Sequence, residues 1–180
     1  MQRGFSLIEL STVLAIMGVL LGIAAPGFRD FVLDSRRTAV VNDLLGAMHF
    51  ARSEALKRGQ TVIVCASADG LSCSTDQGDW AKGWLTYVNQ TGSISPCVVD
   101  GTADVILRYA ANDQADIRVK SNRDCYAFRP FTVHMAAGMI TVCDPRANAQ
   151  GRGARALIVS SVGRARISST NGSQQPLNCS

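Results

Sequence analysis

Near its N-terminus the chain reads Gly4-Phe5-Ser6-Leu7-Ile8-Glu9-Leu10, and from Phe5 to Ala25 it runs FSLIELSTVLAIMGVLLGIAA, 21 residues with one charge, Glu9. At about 1.5 Å of rise per residue, a helix of this length spans roughly 30 Å, the thickness of a bilayer core. A removed secretory signal is one reading, because Gly22-Ile23-Ala24 resembles a small-residue cleavage site. Against it, the apolar run is longer than a signal peptide needs, Arg3 alone supplies the basic region, and a carboxylate sits inside the run. An ordinary membrane anchor leaves Glu9 unexplained, since an acid within lipid is costly and calls for a partner. Phe5 and Glu9 are four residues apart and share one helix face.

The segment from Gly4 to Leu10 resembles the processing site of type IV prepilins and type II secretion pseudopilins. The resemblance implies that a prepilin peptidase cuts between Gly4 and Phe5 and N-methylates Phe5. It also implies that the Glu9 carboxylate meets the terminal ammonium of an incoming subunit during filament assembly. Two charges that are each unfavourable in lipid then satisfy one another.

Working outward, Pro26 is expected to kink or open the helix where the membrane ends. Helical periodicity resumes from Phe28 to Arg58. Phe28, Phe31, Val32, Leu44, Leu45, Met48, Ala51 and Ala55 fall near one face, while Arg29, Asp30, Arg36, Arg37, Asp43, Arg52 and Lys57 mostly populate the other. Gly59 after Lys57-Arg58 reads as the C-terminal stop. The expected organisation is a leader at 1–4, a transmembrane helix half at 5–27, an amphipathic helix half at 28–59 and an antiparallel β head at 60–180. In the head, residues 61–65, 83–88, 105–109, 117–120, 139–142, 156–160 and 165–168 read as strands separated by Gly, Asn, Asp, Ser and Pro clusters. The fold class is therefore α+β, a long N-terminal helix packed on an antiparallel β-sheet head.

Six cysteines stand at Cys65, Cys73, Cys97, Cys125, Cys143 and Cys179, all beyond the apolar run. None forms a C-x-x-C pair and only His49 and His134 offer imidazoles, which argues for disulfides in an oxidising periplasm rather than a zinc site. Six cysteines allow 15 pairings; Cys65–Cys73, which closes a short Gly- and Ser-rich loop, is the best local pair. Phe50-Ala51-Arg52-Ser53-Glu54-Ala55, a strand ending in Cys65, Trp80 with Gly83-Trp84, Ile106-Leu107-Arg108 and Cys143-Asp144 together resemble the FimT/FimU minor pilins and the GspH pseudopilins. The likeness covers essentially the whole chain and is weakest between residues 89 and 135; Asn89-Gln90-Thr91-Gly92 departs from the more acidic turns of relatives. It implies a pilin-like fold, other minor and major pilins as partners, and a single pass through the bacterial inner membrane with assembly into an extracellular pilus. It also implies that Cys143 ties down Cys179, leaving Cys97–Cys125.

The chain has 180 residues, 18% charged and 47% hydrophobic, with a net charge of +4, which excludes a disordered charged tail protein. The charge is unevenly placed. Residues 145–180 carry five arginines and no acid (+5), and the other 144 residues carry 13 bases and 14 acids (−1). Gly151-Arg152-Gly153-Ala154-Arg155 and Gly163-Arg164-Ala165-Arg166 flank the apolar strand 156–160. If Gly163 makes the turn, Arg164 and Arg166 alternate onto one strand face, and Arg152 and Arg155 converge on the same surface. The planar arginine fork suits phosphate, and flanking glycines allow close approach of a nucleic-acid backbone. Aromatic interleaving is absent, which favours duplex backbone contact over base stacking. Gly163-Arg164-Ala165-Arg166 resembles the G-R-x-R pattern of DNA-binding FimT proteins, which implies sequence-independent binding of double-stranded DNA in natural transformation. The alternative is a structural minor pilin or pseudopilin, FimU- or GspH-like, that primes filament assembly or type II secretion without binding DNA. No nucleophile, Walker or zinc-protease motif occurs, and Asp69, Asp76 and Asp79 lack EF-hand spacing, so neither catalysis nor a cofactor or metal is expected.

Overall fold

The structure, a computed structural model, describes residues 6–74, 76, 79–90, 97–101, 104–114, 116–130 and 137–179, without the side chains of 24–26 and 79. The leader, Gly4, Phe5, Thr91-Gly92 and His134 lie outside the described residues. The chain divides into two compact units, Met1–Ser35 and Arg36–Ser180.

Helix α1 runs from Leu7 to Arg58. Pro26, which lacks the N–H that would continue the helical ladder, lies between the stretches Leu7–Ile23 and Gly27–Arg58. Among the described residues no single helix is long and apolar enough to cross a membrane, whereas these two stretches together meet the test by length and composition. In the first unit Leu7, Ile8, Leu14, Ile16, Leu20 and Ile23 are all exposed. So are Phe28 and Phe31, which the periodicity assigns to the core stripe. The buried stripe instead begins in the second unit with Val40, Val41, Leu44, Ala47, Met48, Ala51 and Ala55, at three- and four-residue steps. At the C-terminus the Gly59 N–H donates to the Ala55 carbonyl at 3.0 Å, with Gly59 at φ +67° as a left-handed cap.

Among the described residues eight strands follow: β1 Thr61–Ala66, β2 Gly83–Asn89, β3 Val105–Ala111, β4 Arg118–Ser121, β5 Cys125–Phe128, β6 Gly138–Cys143, β7 Ala154–Val159 and β8 Ala165–Ser168. They form two antiparallel sheets, in the orders β3-β2-β1-β5 and β4-β6-β7-β8. The strand the periodicity misses is β5, only four residues long between charged neighbours, which pairs with β1 from Val62↔Phe128 to Cys65↔Cys125. Val62, Val64, Trp84 and Val88 of the first sheet and Val119, Ile140, Val142, Leu157 and Val159 of the second share one core with the buried stripe of α1. Trp80 seals it: fully buried, its ring meets Tyr126 edge-on at 5.8 Å and its indole N–H donates to the Arg123 carbonyl at 3.2 Å. Three disulfides form, Cys65–Cys73, the pair read from its short loop, and Cys97–Cys125 and Cys143–Cys179, the pairs the resemblance implies.

Candidate functional site

The β7–β8 hairpin is built on Gly163. Its N–H donates to the Ser160 carbonyl at 2.9 Å, the Ser160 N–H to the Arg164 carbonyl at 3.0 Å, and Gly163 takes φ +71°. This is a tight turn closed by a left-handed residue, which a Cβ would strain. From α1, Arg52 donates to the Gly163 carbonyl at 2.8 Å and ties the turn to the helix.

Register then decides which arginines share a surface. Arg166 stands opposite Ile158, and Ala165 opposite Val159. Residues directly opposite lie on the same face, and neighbours along a strand alternate. Val159, Leu157 and Ala165 face the core, so Ile158 and Arg166 face outward. Arg164, two residues before Arg166 and exposed, leads into the same outer side, and neither guanidinium has an ion-pair partner among the described residues. Arg155 is three residues from Ile158 and therefore on the opposite, helix-facing side, opposite Val142. It is half-buried and donates to the Ala154 carbonyl at 3.0 Å. The expected convergence of Arg152 and Arg155 with Arg164 and Arg166 is corrected at Arg155 by strand parity. Arg152 sits exposed in the turn before β7, its N–H donating to Asn148 Oδ1 at 3.0 Å.

The glycines around Arg152 serve the protein rather than a ligand. The loop from Asp144 to Gly153 is closed by the Asp144 N–H on the Gly153 carbonyl at 2.9 Å. Gly153 has φ +72°, and a Cβ there would stand 2.5 Å from Asp144 Oδ1 and 2.8 Å from the Ala147 nitrogen. Asp144 is fully buried, and it accepts from Arg37 Nη1 at 2.5 Å and from Arg146 Nη2 at 2.8 Å. Burial pushes its carboxyl up, but the hydrogen bonds and charge of Arg146, with the charge of Arg37, outweigh this and hold it below the usual carboxylate range. Arg146, one of the five arginines of residues 145–180, is thereby ion-paired to the carboxylate it shares with Arg37. Arg37, expected on the solvent face of α1, is buried with its counterion. In the sequence the only sign of this pair is Cys143-Asp144.

Below that loop, Leu177 and Cys179 of the C-terminal segment pack on Cys143, Ala154 and Ala156, on the outer face of β6 and β7. The segment is folded back by the Thr170↔Pro176 bridge and held by Cys143–Cys179. At the other end of the chain Glu9 is exposed in the first turn of α1.

Residues 40–163 match the family described as type II transport protein GspH, and residues 1–25 match the prokaryotic N-terminal methylation motif. The chain is 31% identical to fimbrial protein Q of Moraxella bovis over 141 residues, 76% of this chain and 88% of that protein. It is 41% identical to the type IV major alpha-pilin of Moraxella bovis over 63 residues, 35% of this chain and 39% of that one. Among solved structures, the type IV minor pilin FimU of Pseudomonas aeruginosa superimposes with a TM-score of 0.58 at 20% identity, covering 83% of this chain and 99% of that one. At that identity the likeness is one of fold.

Proposed function

The chain belongs to the GspH family of minor type IV pilins and pseudopilins, and we propose that it is a minor pilin that binds extracellular double-stranded DNA for uptake in natural transformation. In this reading prepilin peptidase cuts between Gly4 and Phe5 and methylates Phe5. Residues 5–27 hold the protein as a single pass in the inner membrane, with the disulfide-bonded head in the periplasm. Glu9 then meets the terminal ammonium of a neighbouring pilin as the subunit enters the filament, where the exposed apolar side chains from Leu7 to Phe31 have partners to pack on.

The observation that carries the DNA reading is the pair Arg164 and Arg166, presented outward by a glycine turn that α1 braces through Arg52. Neither is paired with an acid among the described residues, unlike Arg37 and Arg146, which share the Asp144 carboxylate. Arginine at such a position makes forked hydrogen bonds to phosphate without reading bases.

Fluorescence anisotropy of the full chain in neutral detergent micelles, with labelled duplex DNA over a salt series, tests it. Three or four phosphate contacts give a log–log salt slope of roughly −3 to −4. The Arg164→Gln/Arg166→Gln variant should bind markedly more weakly, with a slope shallower by about 2. Salt-independent binding, or a variant that binds as the wild type does, refutes the reading and leaves filament priming as the role.

A further inference from the structure

The outer face of the second sheet carries a second basic edge that lies far from the C-terminal arginine cluster in sequence. In β4, Arg118 stands opposite Cys143 and Lys120 opposite Thr141. In the next strand pair, Cys143 stands opposite Ala154 and Thr141 opposite Ala156, and Ala156 stands opposite Ser168 of β8. Opposite residues share a face, so Arg118, Lys120, Cys143, Ala154, Ala156, Ile158 and Arg166 all lie on one surface. Burial agrees. Val119 and Ser121 are buried while Arg118 and Lys120 are exposed, and neither cation has a partner among the described residues. The acid nearest Arg118 in sequence, Asp116, is engaged by Arg36 at 3.2 Å.

Strands β4 and β8 are the two edges of this sheet, three strand spacings apart, about 14 Å. The B-DNA major groove opens to about 12 Å between its two backbones. Between the edges, the disulfide-tethered segment around Leu177 to Cys179 covers β6 and β7. It contains no acid, and Asn178 and Asn148 line a cleft of about 420 Å³ beside Arg118.

We propose that this face is a two-edged duplex-binding surface, on which Arg118 and Lys120 hold the phosphates of one strand while Arg164 and Arg166 hold those of the other. The C-terminal segment forms a polar ridge facing the groove between them. The inference rests on the DNA reading above and adds to it the duplex as the preferred ligand and β4 as half of the site.

The test compares the full chain with Arg118→Gln/Lys120→Gln and with Arg164→Gln/Arg166→Gln, in neutral detergent micelles, on a labelled duplex and on one of its strands. Each double variant should bind duplex roughly tenfold or more weakly at low salt, with a slope shallower by about 2. Single-strand binding, which either edge can hold alone, should fall by no more than about twofold. Arg118→Lys/Lys120→Arg should bind duplex as the wild type does. If Arg118→Gln/Lys120→Gln does not fold, Lys120→Gln alone carries the test, with a slope change of about 1. Wild-type duplex affinity and slope in the β4 variant, with loss only in the β8 variant, overturns the second edge and leaves the DNA reading standing. Equal loss on duplex and single strand overturns the two-strand arrangement. No duplex binding by the wild type overturns both.

Discussion

Arg37 of α1 donates to the carboxylate of Asp144, 107 residues away at the end of β6, and both side chains are buried. This contact fixes the helix to the loop that leads into the β7–β8 hairpin, and Arg146 completes the knot from the other side. The arginines that stay outward do so on a platform held by an ion cluster whose Arg37 and Asp144 are buried and whose Arg146 is partly exposed.

Removing the central carboxylate leaves the buried Arg37 guanidinium, and the partly exposed one of Arg146, without their counterion. Asp144→Asn should therefore cost about 3–5 kcal/mol of stability. Urea unfolding followed by the fluorescence of the buried Trp80 and Trp84 measures this directly. A loss below about 1 kcal/mol would assign the knot to the class of exposed, solvent-screened pairs.

The same carboxylate gives the protein an acid limb. The folded-state value of Asp144 lies below its ordinary value near ~4, because arginine hydrogen bonds and charge outweigh burial. Backbone donors from Leu71 and Ser72 lower Asp69, and Arg58 lowers Glu54, in the same direction. A carboxyl with a depressed folded value stabilises the protein above its unfolded value and loses that contribution as pH falls through the folded one. Urea midpoints should hold steady near neutrality and decline below about pH 4. In Asp144→Asn the decline should be shallower. An equal decline in the variant would place the whole limb on Asp69 and Glu54.

Gly153 is specified twice over, by φ +72° and by the Asp144 oxygen that a Cβ would meet at 2.5 Å. Gly153→Ala should lose about 1–3 kcal/mol from backbone strain, with displacement of Asp144 added to it. Gly101→Ala, where a Cβ meets nothing within 4 Å, should stay within about 0.5 kcal/mol of the wild type. Melting temperatures of the two variants, measured side by side, separate them, and equal losses would mean that the loop relaxes around the new methyl group.

The long helix, its stop at Gly59 and most of the strands were legible because each is written locally, in an apolar run, a cap or a period of two residues. Strand β5 was not, since Cys125–Phe128 is too short to show alternation and owes its conformation to pairing with β1. Phe28 and Phe31 sit at the right helical spacing for the stripe yet are exposed, because periodicity gives a face and not what covers it. Arg37 shows the converse: a charge at a solvent-like position that is buried because its counterion arrives from β6.

By itself the sequence determined the membership of the chain in its family, the α+β class and the excess of positive charge after Pro145, because motif, period and composition need no knowledge of distant contacts. Only the tertiary structure decided which cations share a surface. Strand parity turns Arg155 away from Arg166, the Asp144 carboxylate holds Arg146 and Arg37 in one ion cluster, and the sheet order brings Arg118 and Lys120 onto the outer face with Arg166. The side on which a residue emerges depends on the register between strands, and register is set by long-range pairing and packing that no local pattern encodes.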